Sequence, residues 1–264
     1  MNILDKIAAH KIEEVKLKKE LTPVKLLEQS QYFESPTISM KKYILRTDKS
    51  GIIAEFKRRS PSKPSINLYA DPEEITMSYM QGGASALSIL TDETFFGGSL
   101  KDLNIARQFN FCPILRKDFI IDEYQIIEAK SNGADAILLI CEILSEKQVK
   151  DLGQFAQSLG LEVLLELHSD VHLSKVGDHI DLLGVNNRDL TTFNVDLQFS
   201  VDIASKMNDS FTLVSESGIK TFEEIKMLKS IGFDGFLIGE TFMKEAHPGE
   251  ACRQLSKQIL SIHA

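Results

Sequence analysis

The sequence predicts an α/β protein: a single (β/α)8 TIM barrel spanning residues 1–264, with residues 1–45 as a helical extension packed on the barrel. Three observations carry this. Eight short runs rich in Ile, Leu and Val recur at even spacing, several of them continuously apolar, as strands covered on both faces are. Helix start and stop signals lie between them. No G-x-G-x-x-G follows the first run, and eight evenly spaced strands would be unusual for the alternative, an open doubly wound sheet.

The elements follow in order. Ile3, Ile7, Ile12 and Val15 have helical spacing with charges between them, which predicts an amphipathic helix over residues 3 to 20. The strands are expected at Gly51 to Phe56, Ala84 to Leu90, Pro113 to Leu115, Ala136 to Ile140, Glu162 to Leu167, Leu182 to Val185, Phe211 to Val214 and Gly235 to Ile238. Asp71 before Pro72 reads as an N-cap and first-turn proline, while Ser145 with Gln148 and Thr221 with Glu224 have capping-box spacing. Gly133 and Gly232 sit just before strands, where a left-handed residue would end the preceding helix.

Composition narrows the function classes. With 264 residues, 43% hydrophobic and 26% charged, the chain can bury one sizeable core. No run of about 18 apolar residues suggests a membrane span, and Asp5, Lys6, His10, Glu13 and Glu14 stand where a signal peptide would be apolar. Cys112, Cys141 and Cys252 are odd in number and far apart, which fits a reducing cytoplasm. A net charge of -8 has the wrong sign for a nucleic-acid binder, so an anionic ligand must meet a local basic patch. A monomer is the default expectation.

In such barrels the strands' C-terminal ends build the site. Glu55 and Lys57 are two apart and so share one face of the first strand, as functional groups or as a rim ion pair; Arg58, Arg59, Ser60 and Lys63 follow as the basic patch. Arg116 and Lys117 end the third strand, where at most one points inward. Lys117 among other cations would have a depressed pKa and could donate a proton or form a Schiff base. Glu166 ends an apolar run where desolvation would raise its pKa toward acid/base work. His168 and His172 have i, i+4 spacing, but no third ligand lies nearby in sequence, and no metal is expected. Asn186, Asn187 and Arg188 close the sixth strand, as ligand-holding amides or as an Asx-turn. Gly218 and Gly239 end the seventh and eighth, where barrels commonly bind phosphate through backbone N–H groups. The set implies acid/base chemistry on a phosphorylated small molecule, without metal or nucleotide cofactor.

The ordered motifs IAEFKRRSPS, LTDETFFGGS, LRKDFIID, LLELH, GVNNRDL, VSESGI and FLIGETFM resemble the indole-3-glycerol-phosphate synthase family of tryptophan biosynthesis. The resemblance implies ring closure, decarboxylation and dehydration of 1-(2-carboxyphenylamino)-1-deoxyribulose 5-phosphate. By the same resemblance Lys117 is the acid that protonates the ketone, and Glu166 with the pair Glu55 and Lys57 manages the anilino nitrogen and the dehydration. Asn186, Glu216 and Ser217 would hold the hydroxyls and anilino portion, with Arg188 on the same wall. Ser60, Gly218, Gly239 and the backbone of Glu240 would cradle the phosphate, the Glu240 side chain turning away because a carboxylate repels phosphate.

Overall fold

The computed structural model describes residues 3–189, 192–207 and 211–261. Eight parallel strands close in sequence order into a barrel: β1 (Ile52–Phe56), β2 (Ala86–Leu90), β3 (Ile114–Lys117), β4 (Ala136–Ile140), β5 (Glu162–Leu167), β6 (Leu182–Asn186), β7 (Thr212–Glu216) and β8 (Phe233–Ile238), which pairs back with β1. Helices α1 (Ile3–Leu21), α2 (Val24–Leu27) and α3 (Met40–Ile44) precede the barrel. Around it run α4 (Pro72–Gln81), α5 (Leu100–Phe109), α6 (Glu123–Ser131), α7 (Glu146–Ser158), α8 (Gln198–Ala204), α9 (Phe222–Ser230), α10 (Glu240–Met243) and α11 (Pro248–Leu260). A 3-10 helix, Asp170–Lys175, takes the place of a full helix between β5 and β6.

β4 and β5 have the limits their apolar runs predict. β3 and β7 each run two residues further than theirs, because the charged residues that end them still pair: Lys117 with Leu90, and Glu216 with Asn186. Those two extra residues deliver side chains to the barrel mouth. Alternation along β1 puts Ile52, Ala54 and Phe56 into the layer under the helices and Ile53 and Glu55 inside the barrel.

The expected caps form. Asp71 accepts from the N–H groups of Glu73 and Glu74, and the Ser145–Gln148 and Thr221–Glu224 capping boxes are both closed. Gly133 and Gly232 have φ of 84° and 100°, the left-handed conformation that ends α6 and α9. All three cysteines are buried and free, and burial pushes the Cys112 and Cys252 thiols up to about 12. No helix among the described residues is long and apolar enough to cross a membrane.

α1 spans the expected residues but turns a different face inward. Leu4, Ile7, Lys11 and Val15 are buried, while Ile12 is 58% exposed. The buried stripe keeps the 3-4-4 spacing of a helix and accepts a lysine within it, because the Lys11 ammonium lies 2.9 Å from both Asp92 and Asp118. Lys18 and Lys19 then pair with Glu128 and Asp122 at α6. At the other end, Met40 and Ile44 of α3 join the barrel's interior cluster and close its base.

Candidate active site

A cavity of about 500 Å³ opens at the C-terminal ends of the strands. It is lined by Glu55, Lys57, Ser60, Lys117, Glu166, Asn186, Arg188, Glu216, Ser217, Gly218, Gly239 and Glu240, whereas Arg58, Arg59, Arg116, Asn187 and His172 do not reach it. Leu190, the last residue of the GVNNRDL motif, lies outside the described residues.

Lys117 is the centre. Its ammonium donates to Glu166 Oε2 at 2.8 Å and to Glu216 Oε2, joining β3 to β5 and β7. Beside it, Lys57 Nζ meets Glu55 Oε1 at 2.5 Å. Burial opposes the charge on Lys117, but Glu166, Glu216 and Glu55 outweigh burial and hold the ammonium well above its ordinary value. The expected depression is therefore reversed, since the groups around this lysine are anions. A lysine held charged is a proton donor; Schiff-base formation needs the neutral amine.

The two carboxylates diverge. Burial pushes Glu166 up, yet Lys117, with His168 after it, holds that carboxyl below its ordinary value, contrary to the rise expected from desolvation. Burial pushes Glu216 well above the carboxylate range, Lys117 offsets only part of this, and charge on Glu166 adds to the rise. One cation between two buried carboxylates favours a proton held by the pair, and burial together with the charge on Glu166 favours its place on Glu216. Glycine makes the arrangement possible. A Cβ at Gly184 in β6 would strike Glu216 Oε1 and Leu164. That oxygen has no hydrogen-bond partner.

The asparagines divide their work. Asn187 is a strap: its amide donates to Ser215, Glu216 and Ser217, and its oxygen accepts from Ser200. Asn186 makes the Asx-turn contact to the Arg188 N–H at 3.1 Å and still faces the cavity. Ser217 follows with φ of 65°, a conformation sparsely populated outside glycine, next to Gly218 at 82°.

The basic patch is smaller than the sequence suggested. Arg58 pairs with Asp102 and stacks over Phe56, and Arg59 donates to the carbonyls of Glu93 and Thr94, so both hold loops together. Lys63 remains at the cavity, where its ammonium donates to Glu240. Glu240 therefore does not turn away. Its carboxylate lies among Lys63 and Arg188, 4.0 Å from the latter, and those cations hold it below its ordinary value against the push of burial. A Cβ at Gly239 would meet the Glu55 side chain, so glycine there makes room for a charged site residue as well as for a ligand.

Two features escaped the sequence reading. The apolar half of the cavity comes from Ile3, Leu4 and Ile7 of α1 together with Phe96 and Phe119. The helical spacing of Ile3 and Ile7 was visible, but that it faces a ligand space was not. The other feature is Glu142, just after β4, which accepts from the backbone N–H of His168 at 2.9 Å and meets its Nδ1 at 3.0 Å. Twenty-six residues separate them, and no local pattern marks the pair. Among the described residues no cluster of three or more metal-binding side chains is present.

The family model of indole-3-glycerol phosphate synthase matches residues 4–255. The indole-3-glycerol phosphate synthase of Bacteroides thetaiotaomicron is 51% identical over 98% of this chain and 99% of its own, and that of Campylobacter jejuni subsp. doylei is 41% identical over 96% and 99%. Among solved structures, a thiamine phosphate pyrophosphorylase from Pyrococcus furiosus (TM-score 0.62, 16% identity, 83% of this chain and 99% of that one) shares the fold. So does the tryptophan synthase alpha subunit of Legionella pneumophila (TM-score 0.58, 15% identity, 84% and 97%). A barrel mouth with this charged set, matched along nearly its whole length, places the chain in the indole-3-glycerol phosphate synthase family.

Proposed function

We propose that the cavity closes the indole ring of 1-(2-carboxyphenylamino)-1-deoxyribulose 5-phosphate, with Lys117 as the acid. The observation that carries this reading is the Lys117 ammonium, held charged between Glu166 and Glu216 and facing the cavity. When the ring carbon bearing the carboxylate attacks the ketone, negative charge develops on the ketone oxygen, and an ammonium poised there stabilises and protonates it. The proton on Glu216 can then restore that of Lys117, to which Glu216 is already hydrogen-bonded. Departure of the carboxylate as CO2 leaves a hydroxyl that must go as water. Glu166, kept ionised, serves as base toward the anilino N–H, with Glu55 and Lys57 at the opposite wall.

The rest of the cavity suits the rest of the substrate. Phe96, Phe119 and the α1 residues offer an apolar wall for the benzene ring. Asn186, Ser217 and Arg188 face the hydroxyls, and Ser60, Lys63, Gly218, Gly239 and the Glu240 N–H surround the phosphate. Incubating the protein with this substrate and following indole fluorescence tests the reading, and with no tryptophan in the chain the protein background is small. The expected result is growth of indole emission with release of CO2. A folded protein that yields neither contradicts it.

A further inference from the structure

Glu166 and Glu216 each give one oxygen to Lys117, and what distinguishes them is the other oxygen. Glu216 Oε1 has no partner. Glu166 Oε1 lies 3.3 Å from Nε2 of His168, a side chain only 6% exposed. That nitrogen has no aligned hydrogen bond in the resting geometry, although it lines the cavity and points at a carboxylate. The ring cannot easily turn away, because Glu142 holds both its Nδ1 and its backbone N–H. A carboxylate lies at each ring nitrogen, and Nε2 is placed to donate to Glu166 Oε1.

We infer that His168, held by Glu142, is the positioning residue that fixes Glu166 as the charged member of the pair and leaves the shared proton to Glu216. The inference rests on the proposed function and deepens it, since it says how one fold assigns a base and an acid to two similar glutamates. The groups facing His168 are Glu142 after β4, Glu166 on its own strand, and His172 of the 3-10 helix, whose Nε2 is 3.8 Å from Glu142 Oε1. Beyond Glu166 lie Lys117 and Glu216. Lys175 faces the Cys141 and Leu144 carbonyls that flank Glu142.

The test compares kcat and KM of the unaltered enzyme and His168→Asn across pH, within the range where melts show both folded. Loss of the imidazole beside Glu166 Oε1 raises the pH at which Glu166 ionises, so the acid limb of kcat should move up by about one unit or more. At the midpoint of the unaltered limb that is about a fivefold loss; two units above it the loss should largely vanish, with KM within about twofold throughout. Glu142→Gln, which keeps the imidazole and an acceptor beside Nδ1 but removes the negative charge there, should move the limb the same way by less, and serves if His168→Asn does not fold. A uniform loss with an unmoved limb, or an unchanged profile in both variants, overturns the inference and leaves the proposed function standing. Absence of turnover in the unaltered enzyme overturns both.

Discussion

Two buried ion clusters lie back to back across β3. Inside the barrel, Lys117 serves Glu166 and Glu216; outside it, Arg116 and Lys11 serve Asp118, Glu128 and Asp92. The residue types are the same and the sequence is continuous, Arg116-Lys117-Asp118, yet the clusters are built to opposite ends. Asp118 accepts from Thr91, from the Phe119 N–H, from Arg116 and from Lys11, and although burial pushes its carboxyl up, Arg116 and Lys11 hold it far below the ordinary range. Glu216 shares one cation with a second carboxylate and keeps a proton. Asp118, held as an anion, fixes α1 to the barrel through Lys11. Glu216, held as an acid, has a proton to exchange, which acid/base chemistry requires.

That contrast can be broken most severely at Lys117. Lys117→Met should lower kcat by about 10²- to 10⁴-fold, the worth of a general acid, with a much smaller change in KM. Steady-state kinetics beside a thermal melt is the check, and near-normal turnover in a folded variant removes the assignment. On the other side of the strand the loss should appear in stability. Asp118→Asn removes the carboxylate that Lys11 and Arg116 share, and breaking a buried pair costs about 3–5 kcal/mol, or on the order of 10 °C in Tm at this size. The sign with pH follows. Asp118 ionises lower in the folded protein than the 3.8 of the free group, so its contribution is complete above about pH 4 and is lost as pH falls through the folded value. The variant should therefore differ most from the parent near neutrality and converge with it in strong acid, as acid-unfolding curves would record.

The smallest effect concerns the far end of the cavity. Glu240→Ser frees Lys63 and Arg188 from a competing anion, so inorganic phosphate should inhibit about threefold to tenfold more tightly, the scale of one net hydrogen bond. Weaker inhibition would mean that Glu240 orders those cations for the ligand instead of occupying them.

The sequence made the barrel legible because strand burial and helix caps are local signals. β4 and β5 coincide with their apolar runs, and the Ser145 and Thr221 boxes sit where their spacing put them. It also brought the charged site residues to the right ends of the right strands. Protonation was illegible, because it depends on partners distant in the chain. Lys117 looked like one of several cations until β5 and β7 brought Glu166 and Glu216 from 49 and 99 residues away. Arg58 looked like part of a phosphate patch until Asp102, 44 residues on, claimed it. The burial of Lys11 was illegible for the same reason, its partners Asp92 and Asp118 lying where only the closed barrel sets them beside α1.

That Asp118 is held as an anion for stability and Glu216 as an acid for chemistry is tested by two matched substitutions at pH 7, Asp118→Asn and Glu216→Gln. Both replace a buried carboxyl by its amide. Glu216 ionises near 4.5 as a free group and far higher when folded, so it makes folding less favourable as pH rises above 4.5, a burden the amide does not carry. The account predicts melts of opposite sign: Tm falls for Asp118→Asn and rises for Glu216→Gln, by about 2–4 °C for each kcal/mol, while turnover collapses in the second. A fall in Tm for both would contradict it, since Glu216 would then be as much a structural anion as Asp118.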